Sequence, residues 1–297
     1  VQLVSLRPGA YLLRGGANIG LVVENGQAVL IDTGLDRDAG RRALRHLDTL
    51  EAKLTAVLIT HAHADHFGGA AFLRRRTAVP VYAPAFEAAV VANPLLEPAY
   101  LFGGAEPPKP LRHKFLLAKP CPVDGLIEPG PLEVAGIAFE ALPLPGHAHN
   151  QMGIAYRDVL YCADGFFATE VLDKHIVPFM VDLDAWLETL ERLPAFNYSH
   201  FCPGHGDAHN PAALTQAATH NAERLRAIRQ QTLEATTSPA TGEQVLQRVT
   251  NSLGLVMDNP TQYYLSHTTL LAALTSLHRA GNVNLEFKNN QLLWGAV

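Results

Sequence analysis

Cysteine is scarce in this chain. Cys121, Cys162 and Cys202 are the only three in 297 residues and form no CxxC pair, which argues against a disulfide framework or a separate structural zinc finger. No run of about 18 apolar residues occurs, so no membrane span and no membrane partner are expected. Positive charge is not in excess. The 23 Lys and Arg stand against 28 Asp and Glu, and the net −5 gives no general attraction for nucleic acid. The residues ahead of Gly15-Gly16 are too few and too mixed for a secretory signal, and a cytoplasmic location is the expectation. What is present is 48% hydrophobic residue with 23 Gly and 20 Pro. That suffices for a sizeable core, in one large domain or in a domain with an appendage.

The segments YLLRG, IGLVVEN and QAVLIDTG read as strands, with Glu24-Asn25-Gly26 turning between the second and third. A helix around DAGRRALRHLDTL follows, then the strand TAVLIT, a short helix AAFLRRR after Gly68-Gly69, and the strand AVPVYAP. This βαβ rhythm predicts an α/β core with strands buried between layers. From Ala92 to Pro122 the chain is rich in Pro and aromatics without a clean period, as expected of an insertion over one face of the core. Strands resume with LIEPG, LEVAGIAFEALPLPG, MGIAYRD and VLYCAD, followed by a helix DLDAWLETLERL that Asp182 can cap. The stretch FNYSHFCPGHGD supplies a further strand and loop.

Beyond about Asn210 the composition turns helical, and the chain ends in the hairpin-like NVNLEFKNNQLLW. The reading is a catalytic domain over 1–209, with its insertion at about 92–122, and a winged-helix-like appendage over 210–297. From Pro211 onward six Lys or Arg stand against five Asp or Glu, a net +1, which does not mark a DNA reader. Shaping the active-site edge or contacting protein is the role expected of it.

Residues 60–69 read THAHADHFGG, directly after the apolar run AVLI. Three imidazoles and a carboxylate in six residues need a chemical reason, and these donors suit zinc, iron and related ions. A loop leaving a strand can turn His61 and His63 towards one ion and Asp65 and His66 towards another; on a helix, residues two apart do not face each other. Three more polar loops end strand-like segments: PGHAHN with His147 and His149, YCAD with Asp164, and CPGHGD with His205 and Asp207. Strand ends are where α/β scaffolds place function. Composition alone does not choose between His147 and His149.

From His61 to Gly69 the chain carries HxHxDH followed by two glycines, and in this it resembles the metallo-β-lactamase superfamily of metal-dependent hydrolases. The resemblance runs roughly from Tyr11 to Asp207 and implies a four-layer αββα sandwich. It implies that His61, His63 and His147 surround one ion and that Asp65, His66 and His205 surround a second. Asp164 would bridge the two, and Asp32 of IDTG would be a carboxylate behind the ligands. The pattern is that of glyoxalase-II-like members, with two zinc ions as the cofactor; manganese or iron suits the same donors. With that set complete, His149 is left for substrate handling.

Two ions about 3.5–4 Å apart can lower the pKa of a bridging water and hold the hydroxide, with Asp65 orienting it or moving its proton. The expected partner is a small-molecule substrate: an ester, thioester or lactone. A homodimer is compatible with the chain. Tyr100 and Phe102 of the insertion, and Lys174 and His175 after Asp164, are candidate substrate contacts. Lys109, Arg112, His113 and Lys114 form the basic cluster that a glutathione thioester would call for. Rival readings are a mononuclear iron dioxygenase acting on a persulfide, a phosphodiesterase or nuclease, and a binding module without catalysis. The first leaves the second site empty, the second calls for a long basic excursion, and the third for damaged ligand loops.

Overall fold

The computed structural model describes residues 2–297 and opens with four antiparallel strands, β1 (Gln2–Arg7), β2 (Ala10–Arg14), β3 (Ile19–Glu24) and β4 (Gln27–Ile31). Asn25 and Gly26 both take left-handed backbone, φ 50° and 73°, and make the tight turn that the ENG tripeptide announces. Strand β1, which lies ahead of YLLRG, is an edge strand without a continuous apolar face.

The chain then changes to parallel pairing. Helix α1 (Arg37–Thr49) starts at Asp36, whose side chain accepts from the Asp38 and Ala39 amides, a cap of about 1 kcal/mol. It leads to β5 (Lys53–Leu58), the short helices α2 (Ala64–Phe67) and α3 (Ala70–Thr77), and β6 (Val81–Ala83). Helices α4 (Ala85–Ala92) and α5 (Leu96–Leu101) follow, then a single tight turn at Lys109–Leu111 and β7 (Gly125–Leu126). Only those two residues of the segment leading to LIEPG pair as a strand. Among the described residues the first sheet runs β1 to β7 in chain order, antiparallel to β4 and parallel from there.

The second sheet holds β8 (Gly130–Val134), β9 (Ile137–Pro143), β10 (Met152–Tyr156), β11 (Val159–Ala163) and β12 (His200–Pro203), in spatial order β12-β11-β10-β9-β8. Ala135 and Gly136, both at positive φ, fold LEVAGIAFEALP into the β8–β9 hairpin where the apolar pattern reads as one strand. Between β11 and β12 lie α6 (Thr169–Leu172) and α7 (Leu183–Arg192), the latter capped by Asp182 as expected.

Leu12, Val22, Ile31 and Leu58 of the first sheet interlock with Phe139, Ile154 and Tyr161 of the second, so the two sheets pack face to face. Helices α1, α2 and α3 cover the outer face of the first sheet through Leu47, Phe67 and Leu73. On the far side α7 covers the second sheet through Leu183, Trp186 and Leu190, and α8 (Pro211–Ala235) adds Leu214, Leu225 and Ile228 to the same cluster. This is the αββα sandwich.

After α8 come α9 (Gly242–Ser252), α10 (Pro260–Arg279) and the hairpin of β13 (Val283–Lys288) with β14 (Gln291–Ala296). Ala272 and Ala273 of α10 enter the cluster of α7 and α8, while Leu270 and Leu274 pack with Val245, Leu246 and Val249 of α9. Among the described residues no helix is long and apolar enough to cross a membrane.

Candidate metal centre

The C-terminal ends of β4, β5, β9, β11 and β12 carry the polar loops. Strands β4 and β5 run parallel, as do β11 and β12, and β9 runs parallel to β11 because both are antiparallel to β10. Five separated loops therefore reach the same edge of the sandwich. THAHADHFGG is not a single loop: His61 and His63 lie on the extended stretch after β5, whereas Asp65 and His66 sit on the one-turn helix α2. Thr33 anchors that helix, its amide and hydroxyl both donating to His66 O at 2.6 and 3.0 Å.

Two groups of donors result. His61 Nε2 lies 3.1 Å from His63 Nδ1, and His147 Nε2 lies 2.9 Å from the same His63 nitrogen. Asp65, His66 and His205 form the other group, each offering an atom within 4.8 Å of the others'. Asp164 stands between them. Its Oδ2 is 3.2 Å from His147 Nε2 and 3.7 Å from His205 Nε2, and its Oδ1 is 3.5 Å from His66 Nε2. Asp32 also comes close to His61 and His66, with one donor atom of each within 4.8 Å of the others. Its oxygens are already taken, however, by the Thr60 amide, the Thr60 hydroxyl and His66 Nδ1, each at 2.8 Å. Asp32 therefore orients His66 from behind.

The donors fit a pair of cations. His66 Nε2 and Asp164 Oδ1 face each other at 3.5 Å, both buried and neither in a hydrogen bond, so the two donor atoms are left short of the partner that burial normally demands. Burial, with His147 and other imidazoles close by, drives the His63 pKa down to about 3, and burial likewise depresses His61 and His147, leaving lone pairs free for ligation. Burial also opposes charge on Asp65, yet His66 and His205 hold it down to about 2. His66 goes the other way: against its burial, Asp164, Asp65 and Asp32 keep its proton well above the usual range. Three carboxylates thus concentrate negative charge around one buried imidazole.

Local backbone serves this geometry. Ala163 at φ 46° and Asp32 at φ 63° adopt the left-handed region, which costs an alanine about 1–2 kcal/mol. A Cβ on Gly204 would lie 2.0 Å from Asp164 Oδ1, and one on Gly146, at φ 125°, would strike the Trp186 backbone at 2.3 Å. These two glycines let the β12 and PGHAHN loops close on the ligands.

His149 is not with His147. Its ring lies tilted against Phe86, centroids 4.8 Å apart, and shares a small cleft with His63 and Tyr100. Phe102 turns away, against Tyr264 in a cluster with Leu111, Phe179 and Leu265, so the structure does not bring it to the donors. Lys174 and His175 do line the cavity beside them. The basic cluster is dispersed: Lys114 pairs with Asp36, Arg112 with Glu106, and His113 bonds Thr261. Sequence reasoning missed Glu87, a buried carboxylate that accepts from the Ala62 and Asn150 amides, both at 2.9 Å, and so ties THAHADH to PGHAHN. It also missed Asn18, which bonds Pro203 O and Gly206 O beside His205. A lone charge in the apolar AFEAAVVA was the available signal for Glu87.

Residues 12–205 match the family model of the metallo-beta-lactamase superfamily, and the chain belongs to that superfamily. It is similar to a hydroxyacylglutathione hydrolase of Xylella fastidiosa, 28% identical over 151 residues covering 50% of this chain and 44% of that one. It thus spans somewhat under half the length of the curated relatives it matches. Among solved structures, a metallo-beta-lactamase family protein of Thermus thermophilus superposes with a TM-score of 0.75 at 21% identity, covering 99% of this chain and 100% of that one. A beta-lactamase domain protein of Burkholderia ambifaria gives 0.72 at 18%, covering 100% and 94%. At these identities the two show the fold.

Proposed function

We propose that the chain is a hydrolase of small esters or thioesters working with two divalent ions, zinc in the first instance. The observation that carries this is the pair of donor groups sharing Asp164. His61, His63 and His147 would hold one ion, Asp65, His66 and His205 the other, and Asp164 would face both. When bound, such ions supply Lewis acidity and a water of lowered pKa.

The chain's own residues do the rest. Asp32 and Thr60 fix the tautomer and tilt of His66, and the Phe179 carbonyl accepts from His147 Nδ1 at 3.0 Å, fixing that ring. Asp65 is partly exposed to the cavity and ionised, with His205 Nε2 3.4 Å away, so its carboxylate can accept a hydrogen bond from water there and orient it. The similarity to hydroxyacylglutathione hydrolases supports a thioester among the substrates. Residues 210–297, a winged-helix-like appendage in this reading, contribute to the cavity wall from α10.

Turnover of thioesters, aryl esters, lactones and phosphodiesters by zinc-loaded protein tests this directly. Asp65→Asn, which alters one of the three donors of the second group, should weaken the ion there and lose ester or thioester turnover about 100-fold or more. Turnover of phosphodiesters alone, or a single ion per chain after loading, would overturn the reading.

A further inference from the structure

Beside the ligands lies a cavity of 370 Å³ bounded on one side by Asp65, His147, Asp164 and His205. The opposite walls come from one continuous segment, 167–179, and from α10 with the loop before it. Phe167, Ile176, Val177, Phe179, Leu255 and Leu265 give these walls their chemistry. Polar groups are few. Gln262 and Ser266 are uncharged, and His175 has its pKa lowered by burial, then by His205 and Lys174. Apart from the ligand carboxylates, Lys174 is the one fixed charge among the described lining residues, and it is exposed.

A glutathionyl or other carboxylate-bearing group would need paired cations to replace its water. Lys109, Arg112 and Lys114 are absent from these walls, and two of them are engaged elsewhere. An alkyl chain or aromatic ring needs only apolar surface, and the cavity is within the size range of small-molecule sites. The cavity is also held in shape. Thr269, fully buried on α10, donates to Pro178 O at 3.0 Å and accepts from Met180 N at 3.2 Å; Arg224 of α8 donates to the carbonyls of His175 and Ile176, both at 3.3 Å.

Building on the hydrolase reading, we propose that the substrate is an ester or thioester of an uncharged, apolar acyl group, a medium-length alkyl chain or an aryl ring. The acyl group fills this cavity with its carbonyl towards Asp65 and His205. Segment 167–179 and the start of α10 select it.

Two measurements test this separately from hydrolysis. The first is turnover of S-acyl N-acetylcysteamine thioesters from acetyl to octanoyl, with a glutathione thioester alongside, by zinc-loaded protein. The value of kcat/KM is expected to rise about threefold per methylene until the cavity is full, with the glutathione thioester well below the octanoyl substrate. The second is binding of uncleavable N-acetylcysteamine thioethers, ethyl to hexyl, to metal-free protein by calorimetry. The hexyl ligand is expected to bind roughly 50–100-fold more tightly than the ethyl. Ile176→Asn should flatten both series, and Leu265→Gln, on the other wall, is the second variant should the first fail to fold. Flat series in the unaltered protein, or preference for the glutathione thioester, overturn the apolar assignment while leaving the hydrolase standing. A steep thioether series with no turnover of any ester supports the cavity assignment and removes the hydrolase.

Discussion

Both ring nitrogens of His147 are engaged, Nδ1 with the Phe179 carbonyl and Nε2 with His63 and Asp164, whereas His149 is exposed and lies against Phe86. His147→Ala should therefore lose one ion, the stoichiometry falling from about two per chain to about one after loading and removal of loose metal. His149→Ala should retain both, since replacements one step removed from the metal weaken affinity by about 10–100-fold at most. Elemental analysis of the two variants checks this, and the reverse pattern would exchange their roles. At this scale the donors were legible in sequence because imidazole and carboxylate recur in short loops after apolar runs. Glu87 and Asn18 were not, since each acts through backbone groups brought near only by folding: Glu87 holds two amides 25 and 63 positions away.

Between β11 and α7 the chain forms a strap that does two jobs, lining the cavity and presenting the Phe179 carbonyl to His147. Thr269 pins it from α10 by bonds to the residues on either side of Phe179. Thr269→Val keeps the shape of the side chain and removes both bonds. The expected result is a metal affinity at the His147 group reduced about tenfold, with the fold intact and Thr269→Ser restoring it. Competition against a chromophoric chelator reads this, and unchanged affinity in the valine variant would show that the strap orients His147 unaided. Of the elements themselves, α7, α8 and the strands from β2 to β5 were legible from caps and apolar period. The β8–β9 hairpin was hidden because Ala135 takes a positive φ that alanine seldom adopts. In the insertion, α5 and the turn at Leu111 pack with Tyr264 and Leu265 of α10, a contact that no local pattern reveals.

Across the molecule, the two donor groups differ in how they meet protons. In the metal-free protein His61, His63 and His147 are neutral at pH 7, with His63 near 3, whereas His66 and His205 have raised values. The His66 proton stabilises the metal-free fold fully below about pH 6.5 and progressively less as pH rises through its raised value. An ion at Asp65, His66 and His205 must displace that proton; one at His61, His63 and His147 displaces none. Lowering the pH from about 8 to 6 should thus release the ion beside His66 first and leave the other in place, as metal retained after dialysis at stepped pH would report. Simultaneous loss would contradict the asymmetry. The strap has a consequence of a different kind. Besides ring contacts from Phe167 and Phe179, what it gives His147 is a peptide oxygen, which every residue type possesses, while Ile176 and Val177 give the cavity side chains. On the reading proposed above, natural variation at Ile176 and Val177 can therefore redraw which acyl groups are admitted without touching the imidazoles, so that a lineage built on this scaffold can change its diet one residue at a time.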